Sequence, residues 1–247
     1  MRTNWLRSIF NTLVAAGLIA PASAMAASYD TNLVLNPSFE NVDGGGFAAN
    51  WSGLVDTYAY SANYTGAAPA GSGARYWFGG PGIGGQVSSI TAAQAPVSLA
   101  DNSADINAGR VTYDLSAYFS SYRLQGDYAV VRATFRDAAN ATLAQATVGS
   151  EALVAGLPIV NNGTYADARD WAADVTAGLV PVGTNNVLIE IVATKTAGGT
   201  VVDGYVDLVD MQIHLTPIPE PSTLALAAIG GFGVAAWRFR KRRAQQS

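Results

Sequence analysis

The sequence contains no cysteine and a single histidine, and only 13% of its 247 residues are charged. Without cysteine there are no disulfides and no thiolate metal centres, so an exported fold here must stand on its apolar core. One histidine, His214, leaves no Cys/His spacing for a zinc site, and it reads as a satisfied surface residue rather than a general base. The glycine-rich run GGPGIGGQ lacks the Lys-Ser/Thr pair of a phosphate loop and reads as a turn. Between residues 28 and 215 there is no long amphipathic helix and no repeat of fixed period. Cations are scarce in the middle of the chain. Seven of the 14 Lys and Arg lie in the two ends, while all 18 acids lie between Asp30 and Glu220, which gives that region a formal charge of −11. Such a surface repels phosphate backbones and excludes nucleic acid as a partner.

The two ends read as addresses. Arg2 and Arg7 precede an apolar run from Ile9 to Ala20, then Pro21 and the small-residue stretch ASAMAAS. That is the order of a secretory signal, residues 1–26, with signal peptidase cleaving after Ala24 or Ala26. The C-terminal stretch TPIPEPSTLALAAIGGFGVAAWRFRKRRAQQS has three parts. Pro219 and Pro221 around Glu220 deny the backbone helical hydrogen bonds and bias it to the extended form a protease reads. The apolar stretch from Leu224 to Trp237 reaches ~21 Å as a helix at ~1.5 Å per residue. Ser222, Thr223 and snorkelling arginines extend it toward a membrane span over about 222–238. The basic end, Arg238, Arg240, Lys241, Arg242 and Arg243, belongs on the cytoplasmic side and puts the preceding body in the periplasm.

This tail resembles the PEP-CTERM sorting signal, a Pro-Glu-Pro motif followed by a short transmembrane helix and an arginine-rich end. The resemblance covers residues 217–247. It implies a Gram-negative exported protein whose Pro219, Glu220 and Pro221 are recognised by an exosortase. The inner membrane would hold the chain transiently, before release toward the cell surface or an exopolysaccharide-rich biofilm matrix. A Gram-positive sortase signal or a eukaryotic lipid-anchor signal fits the residues less well.

The body, residues 27–216, carries strand patterns. Tyr113, Leu115, Ala117 and Phe119 alternate with polar residues, as do Ala129, Val131, Ala133 and Phe135. DAAN marks a turn into a hairpin partner, ATLAQATVG. Val187, Ile189 and Ile191 form another inward set, and Val209, Met211, Ile213 and Leu215 a last one, with Asp210, Gln212 and His214 outward. Strands of this length between Gly, Asn, Asp and Pro clusters predict an all-β fold, an antiparallel jelly-roll β-sandwich in one domain. A signal helix and a single C-terminal transmembrane helix are expected to flank it.

The opening NLVLNPSFENVDGGGFAANWSG, the segment GSGARYWFGG and the closing GYVDLVDMQIHL resemble, in that order, galactose-binding-like jelly rolls, which include many carbohydrate-binding modules. The resemblance implies a structural calcium between first and last strands at Glu40 and Asp207. Leu208 stands where the family often has a second acid, and alternation puts Asp207 on the apolar side of its strand. Aromatic rings among Gly, Ser and Asn (Trp51, Tyr58, Tyr60, Tyr64, Tyr76, Trp77 and Phe78) offer faces for sugar stacking or core for the sandwich. Trp51, Trp77, Tyr76 and Arg75 are the candidate sugar-binding residues. No catalytic residue and no cofactor other than calcium is expected. The two readings are a non-catalytic matrix protein and a glycan-binding module, with a secreted glycan hydrolase as the weaker third.

Overall fold

The computed structural model describes residues 27–43, 47–53, 56–80, 89–196 and 200–217. The signal, the Pro-Glu-Pro tripeptide, the apolar stretch, the basic end and most of GGPGIGGQ lie outside them. Along the described chain run β1 (Ser52–Gly53), β2 (Asp56–Ala59), β3 (Arg75–Gly80), β4 (Ser89–Ala93) and β5 (Val97–Ser98). A one-turn helix, α1 (Ser103–Asn107), leads to β6 (Val111–Ser121), β7 (Tyr128–Arg136) and β8 (Thr142–Val148). Then come α2 (Glu151–Ala155), β9 (Ile159–Val160), β10 (Ala168–Arg169), β11 (Ala172–Leu179), β12 (Asn186–Thr194) and β13 (Val202–Leu215).

Two antiparallel sheets face each other. One has the order β1-β4-β12-β7-β8 with β5 beside β12, and the other the order β11-β6-β13-β3-β2. β9 and β10 make a separate two-stranded ribbon. The fold is therefore the expected all-β jelly-roll sandwich. Among the described residues no helix is long and apolar enough to cross a membrane.

The core forms where the alternating residues of the two sheets meet. Leu115, Ala117 and Phe119 from β6 and Val206, Val209, Met211 and Ile213 from β13 pack on Ala129, Val131, Ala133 and Phe135 from β7 and Val187, Ile189 and Ile191 from β12. The β7–β8 hairpin turns through the predicted residues, with the Asp137 N–H donating to the Ala141 carbonyl at 3.0 Å. The sheets approach closely at Gly204, where a Cβ would collide with the Tyr128 carbonyl and the Ala129 nitrogen. Leu215 departs from expectation: at the strand's end it is 39% exposed.

β13 does not alternate evenly. Val206 and Val209 both point to the core although three positions apart, because the register against β6 shifts between Asp207 and Asp210. Leu208, at φ 50°, takes the left-handed conformation of the extra residue in a β-bulge. The bulge places Asp207 on the face opposite Val206, with Tyr205 and Asp203. This corrects the apolar-side expectation for Asp207, which counted through the bulge as if the strand were regular.

Candidate functional site

On the outer face of the β11-β6-β13-β3-β2 sheet lies a second aromatic cluster, separate from the main core. Tyr76, Phe78 and Tyr205 are buried at its base, and Tyr58, Tyr60, Tyr64, Tyr122, Trp171 and Val201 pack on them. Alternation in β3 explains the division: Trp77 turns inward, and its neighbours Tyr76 and Phe78 turn outward. Tyr58 stacks on Phe78 with ring centroids 3.6 Å apart and meets Tyr64 edge-on at 5.1 Å. Tyr64 in turn meets Tyr122 at 5.6 Å. The segment that carries Tyr64 is held over the sheet by the Asn162 side-chain amide, which donates to the Asn63 and Thr65 carbonyls at 2.6 and 2.7 Å, and by the Trp171 indole N–H on Thr65 Oγ1 at 3.0 Å.

Between these rings opens a cleft of about 330 Å³, lined by Tyr58, Tyr64, Tyr122 and Tyr205 with Gln125, Thr200, Val201 and Asp203. Its single lining carboxylate, Asp203, accepts from the Tyr205 hydroxyl at 3.2 Å, and burial raises its pKa to about 6. Asp127, fully buried behind it, accepts from the Asp203 N–H at 3.0 Å and the Thr196 N–H at 2.8 Å, which fixes the backbone that carries Asp203. At the cleft's edge Arg123 is tied by two 2.7 Å bonds to Asp167 and lies over the Tyr165 ring. That pairing holds the Asp167 carboxyl below the usual carboxylate range. The site thus offers aromatic faces, hydroxyls, an amide and one acid.

The four residues singled out in the sequence for sugar binding sit elsewhere. Trp77 is fully buried in the main core, and Trp51 is buried beside Phe39 at 5.6 Å between ring centroids. Tyr76 is fully buried beneath the cleft, and its hydroxyl has no hydrogen-bond partner among the described residues. Arg75 donates through its guanidinium to Thr57 Oγ1 at 3.0 Å, and Thr57 is itself buried. None of these four lines the cleft: Trp51 and Trp77 fill the main core, and Tyr76 forms the buried base of the outer cluster. Tyr58 and Tyr64, from the same aromatic run, do line it. Tyr122, Asp203 and Tyr205 were missed. The outward phase of VDGYVD before the bulge is the signal that would have found Asp203 and Tyr205; Tyr122, just past the end of β6, carries no such signal.

The charge of Glu40 adds to the factors that raise the Asp207 pKa. Asp207 is fully buried, and burial is the main reason its pKa rises to about 7. Its Oδ2 accepts from the Tyr60 hydroxyl at 2.6 Å and its Oδ1 from the Leu208 N–H at 2.7 Å. Glu40 Oε1 accepts from the Arg75 N–H at 2.7 Å. A buried carboxylate and a half-buried one within electrostatic reach supply the hard oxygens calcium prefers, so the donor chemistry fits the ion. No group of three or more ligating side chains exists among the described residues, so backbone carbonyls or water would have to complete six to eight ligands.

Asp203 and Asp207 both keep their protons to higher pH when folded than in the unfolded chain, where Asp titrates near 4 (about 3.9). Between pH ~4 and ~7 the folded state therefore binds more protons than the unfolded state, and stability falls as pH rises through that window. With chelator present, the denaturant midpoint should drop from pH 4 to pH 7, and Asp207→Asn should flatten the drop. A parent midpoint constant over that range would refute this.

A comparison with the sequences of curated proteins finds no match to this chain. Solved structures of similar architecture include the enzymatically active domain of bacteriophage CBA120 tailspike protein 4, at 13% identity and a TM-score of 0.45, with 74% of this chain aligned to 21% of that one. A second is TmCBM61 in complex with β-1,4-galactotriose, at 15% identity and a TM-score of 0.40, with 75% of this chain covering 99% of the module. A third is the C-terminal family 22 carbohydrate-binding module of Clostridium thermocellum Xyn10B, at 12% identity and a TM-score of 0.38, covering 77% of this chain and 97% of the module. This chain spans about a fifth of the tailspike's length and nearly all of each module's. Residues 217–243 match the PEP-CTERM protein-sorting motif, so the chain carries at its C-terminal end the signal of an exported, exosortase-processed protein.

Proposed function

We propose that the body is a non-catalytic glycan-binding module, delivered by its tail to the cell surface or an exopolysaccharide matrix, with the Tyr58–Tyr64–Tyr122 cleft as its binding site. The observation that carries this reading is the convergence of ring faces and hydrogen-bonding groups in one cleft. Aromatic faces take the apolar faces of sugar rings, and Asp203, Gln125 and Thr200 would meet their hydroxyls. Binding is favoured over hydrolysis because, among the described residues, Asp203 alone supplies a carboxylate to the lining, whereas glycoside cleavage uses two across a bond. The nearby Asp127 is fully buried with its oxygens on backbone N–H groups, so it does not reach a substrate.

Glu40 and Asp207 would hold a structural calcium, whose charge would cancel the repulsion between them and stabilise the ionised Asp207. Calcium added at pH 8 should then raise the unfolding midpoint of the parent and leave Asp207→Asn unchanged. No rise in the parent would leave the Tyr60 and Leu208 bonds as the carboxylate's whole support.

Two further outcomes are expected. The full chain should bind neutral oligosaccharides, and Tyr64→Ala or Tyr122→Ala should each weaken binding about 2- to 10-fold, the range for one aromatic contact worth about 0.5–1.5 kcal/mol. Their unfolding midpoints should stay near the parent's, and retention on no glycan would remove the reading. Trp77→Ala is unsuited to this test because truncating a core tryptophan costs about 3–5 kcal/mol. For sorting, Glu220→Ala in the native host should leave a longer, membrane-retained form. Processing like the parent's would exclude recognition of Pro219, Glu220 and Pro221 by the exosortase.

A further inference from the structure

Both ends of the described body leave from the same end of the sandwich. The Ala27 N–H donates to the Ser98 carbonyl, the Asp30 N–H to Ile213 and the Thr216 N–H to Arg110. The first residues of the body are thus fastened beside the last turn of β13. The glycan cleft is built at the other end of the same strand, where Asp203 and Tyr205 begin it. A strand running from Val202 to Leu215 at ~3.3 Å per residue separates the two ends by roughly 40 Å.

The exit end is also where large aliphatic side chains stand in solvent. Leu179 is 62% exposed, Val182 63%, Leu143 41% and Leu215 39%. Register sets Leu179 and Leu215 at the same end of the second sheet, on opposite faces: Leu179 pairs with Thr112, which pairs on its other side with His214, on the outer face, and Leu215 pairs with Val111 on the core side. A Cβ on Gly183 would lie 3.9 Å from Leu143 Cδ1, which sets Leu143 beside the Val182 turn. Two of the cations at this end are paired. Arg110 is paired with Asp105, and His214 sits between Asp30 at 2.7 Å and Asp114 at 3.1 Å. Those acids, with the exposed Asp101, would be repelled by anionic headgroups but not by zwitterionic ones.

The tail sets the partner. From Thr216, the last of the described residues with a backbone bond to the body, Leu224 is eight residues away, at most about 29 Å of extended chain. The exit end of the body is therefore held within that reach of the membrane that carries the tail. A tether this short gives millimolar effective concentrations, at which a few aliphatic contacts suffice. We infer that in the unprocessed chain the exit end, through Leu143, Leu179, Val182 and Leu215, rests on a zwitterionic lipid surface, with the glycan cleft held on the far side. This rests on the reading of the tail as a membrane anchor.

The absence of cysteine makes the test direct. Val182→Cys and, as a cleft-end control, Leu124→Cys (Leu124 is 64% exposed) are labelled with an environment-sensitive fluorophore in the full chain. The labelled chains are reconstituted in phosphatidylcholine vesicles containing nitroxide-headgroup lipid. The label at 182 should be quenched at least threefold more than the label at 124. Equal quenching in chains that co-float with the vesicles would overturn the inference and leave the anchor reading intact. Chains that fail to co-float would overturn both. Protection of position 182 that appears only when the sorting protease is added would assign this face to the protease instead of lipid.

Discussion

One extra residue in β13 sets the phase on which both faces of the second sheet depend. Before Leu208 the strand sends Val206 to the core and Tyr205 and Asp207 outward, and after it Val209, Met211 and Ile213 return to the core. Without the bulge, a strand with this sequence could not turn both Val206 and Val209 to the core, and one of them would turn to the outer face. The bulge also frees backbone groups for other partners. The Leu208 N–H turns to Asp207, and the Val209 N–H donates to the Pro37 carbonyl at 3.0 Å. Asn32 takes up the next positions, accepting from the Met211 N–H and donating to the Val209 carbonyl. The N-terminal segment is thereby sewn along the last strand, and Glu40 is brought to Asp207.

The sandwich was legible in the sequence because its core obeys a simple period. Leu115 to Phe119, Ala129 to Phe135 and Val187 to Ile191 alternate without interruption, and the structure buries those residues as the period requires. The cleft was only partly legible, for two physical reasons. Alternation says that neighbours in RYWF face opposite ways but not which way is inward, so Trp77 and Tyr76 were both open to either role. The other walls come from residues far apart in sequence, Tyr58, Tyr122 and Tyr205, which only the strand order β6-β13-β3-β2 brings together. A bulge is invisible to a period-two count, and so Asp207 was assigned to the wrong face.

The chemistry of the outer face follows from desolvation more than from charge pairing. Asp203 and Asp207 lie among tyrosines, with hydroxyl and backbone N–H donors to their oxygens. Burial then dominates and raises both pKa values, whereas the exposed Arg123–Asp167 pair lowers that of Asp167. An outer face of this kind suits neutral hydroxyl-rich ligands, in keeping with an acidic body that crosses to the outside and folds without disulfides. The same strand borders the cleft at its start and leads toward the sorting motif at its end, so the proposed glycan site and the sorting motif lie on either side of one strand.

Single-residue deletion tests the phase of β13 most directly. Removing Leu208 should leave Tyr205 and Asp207 outward and Val209, Met211 and Ile213 inward, so the protein should still unfold cooperatively in denaturant with only a modest loss of midpoint. Removing Gln212, beyond the bulge, should turn Ile213 outward and His214 inward and abolish the cooperative transition. Equal collapse of the two deletions would contradict the account.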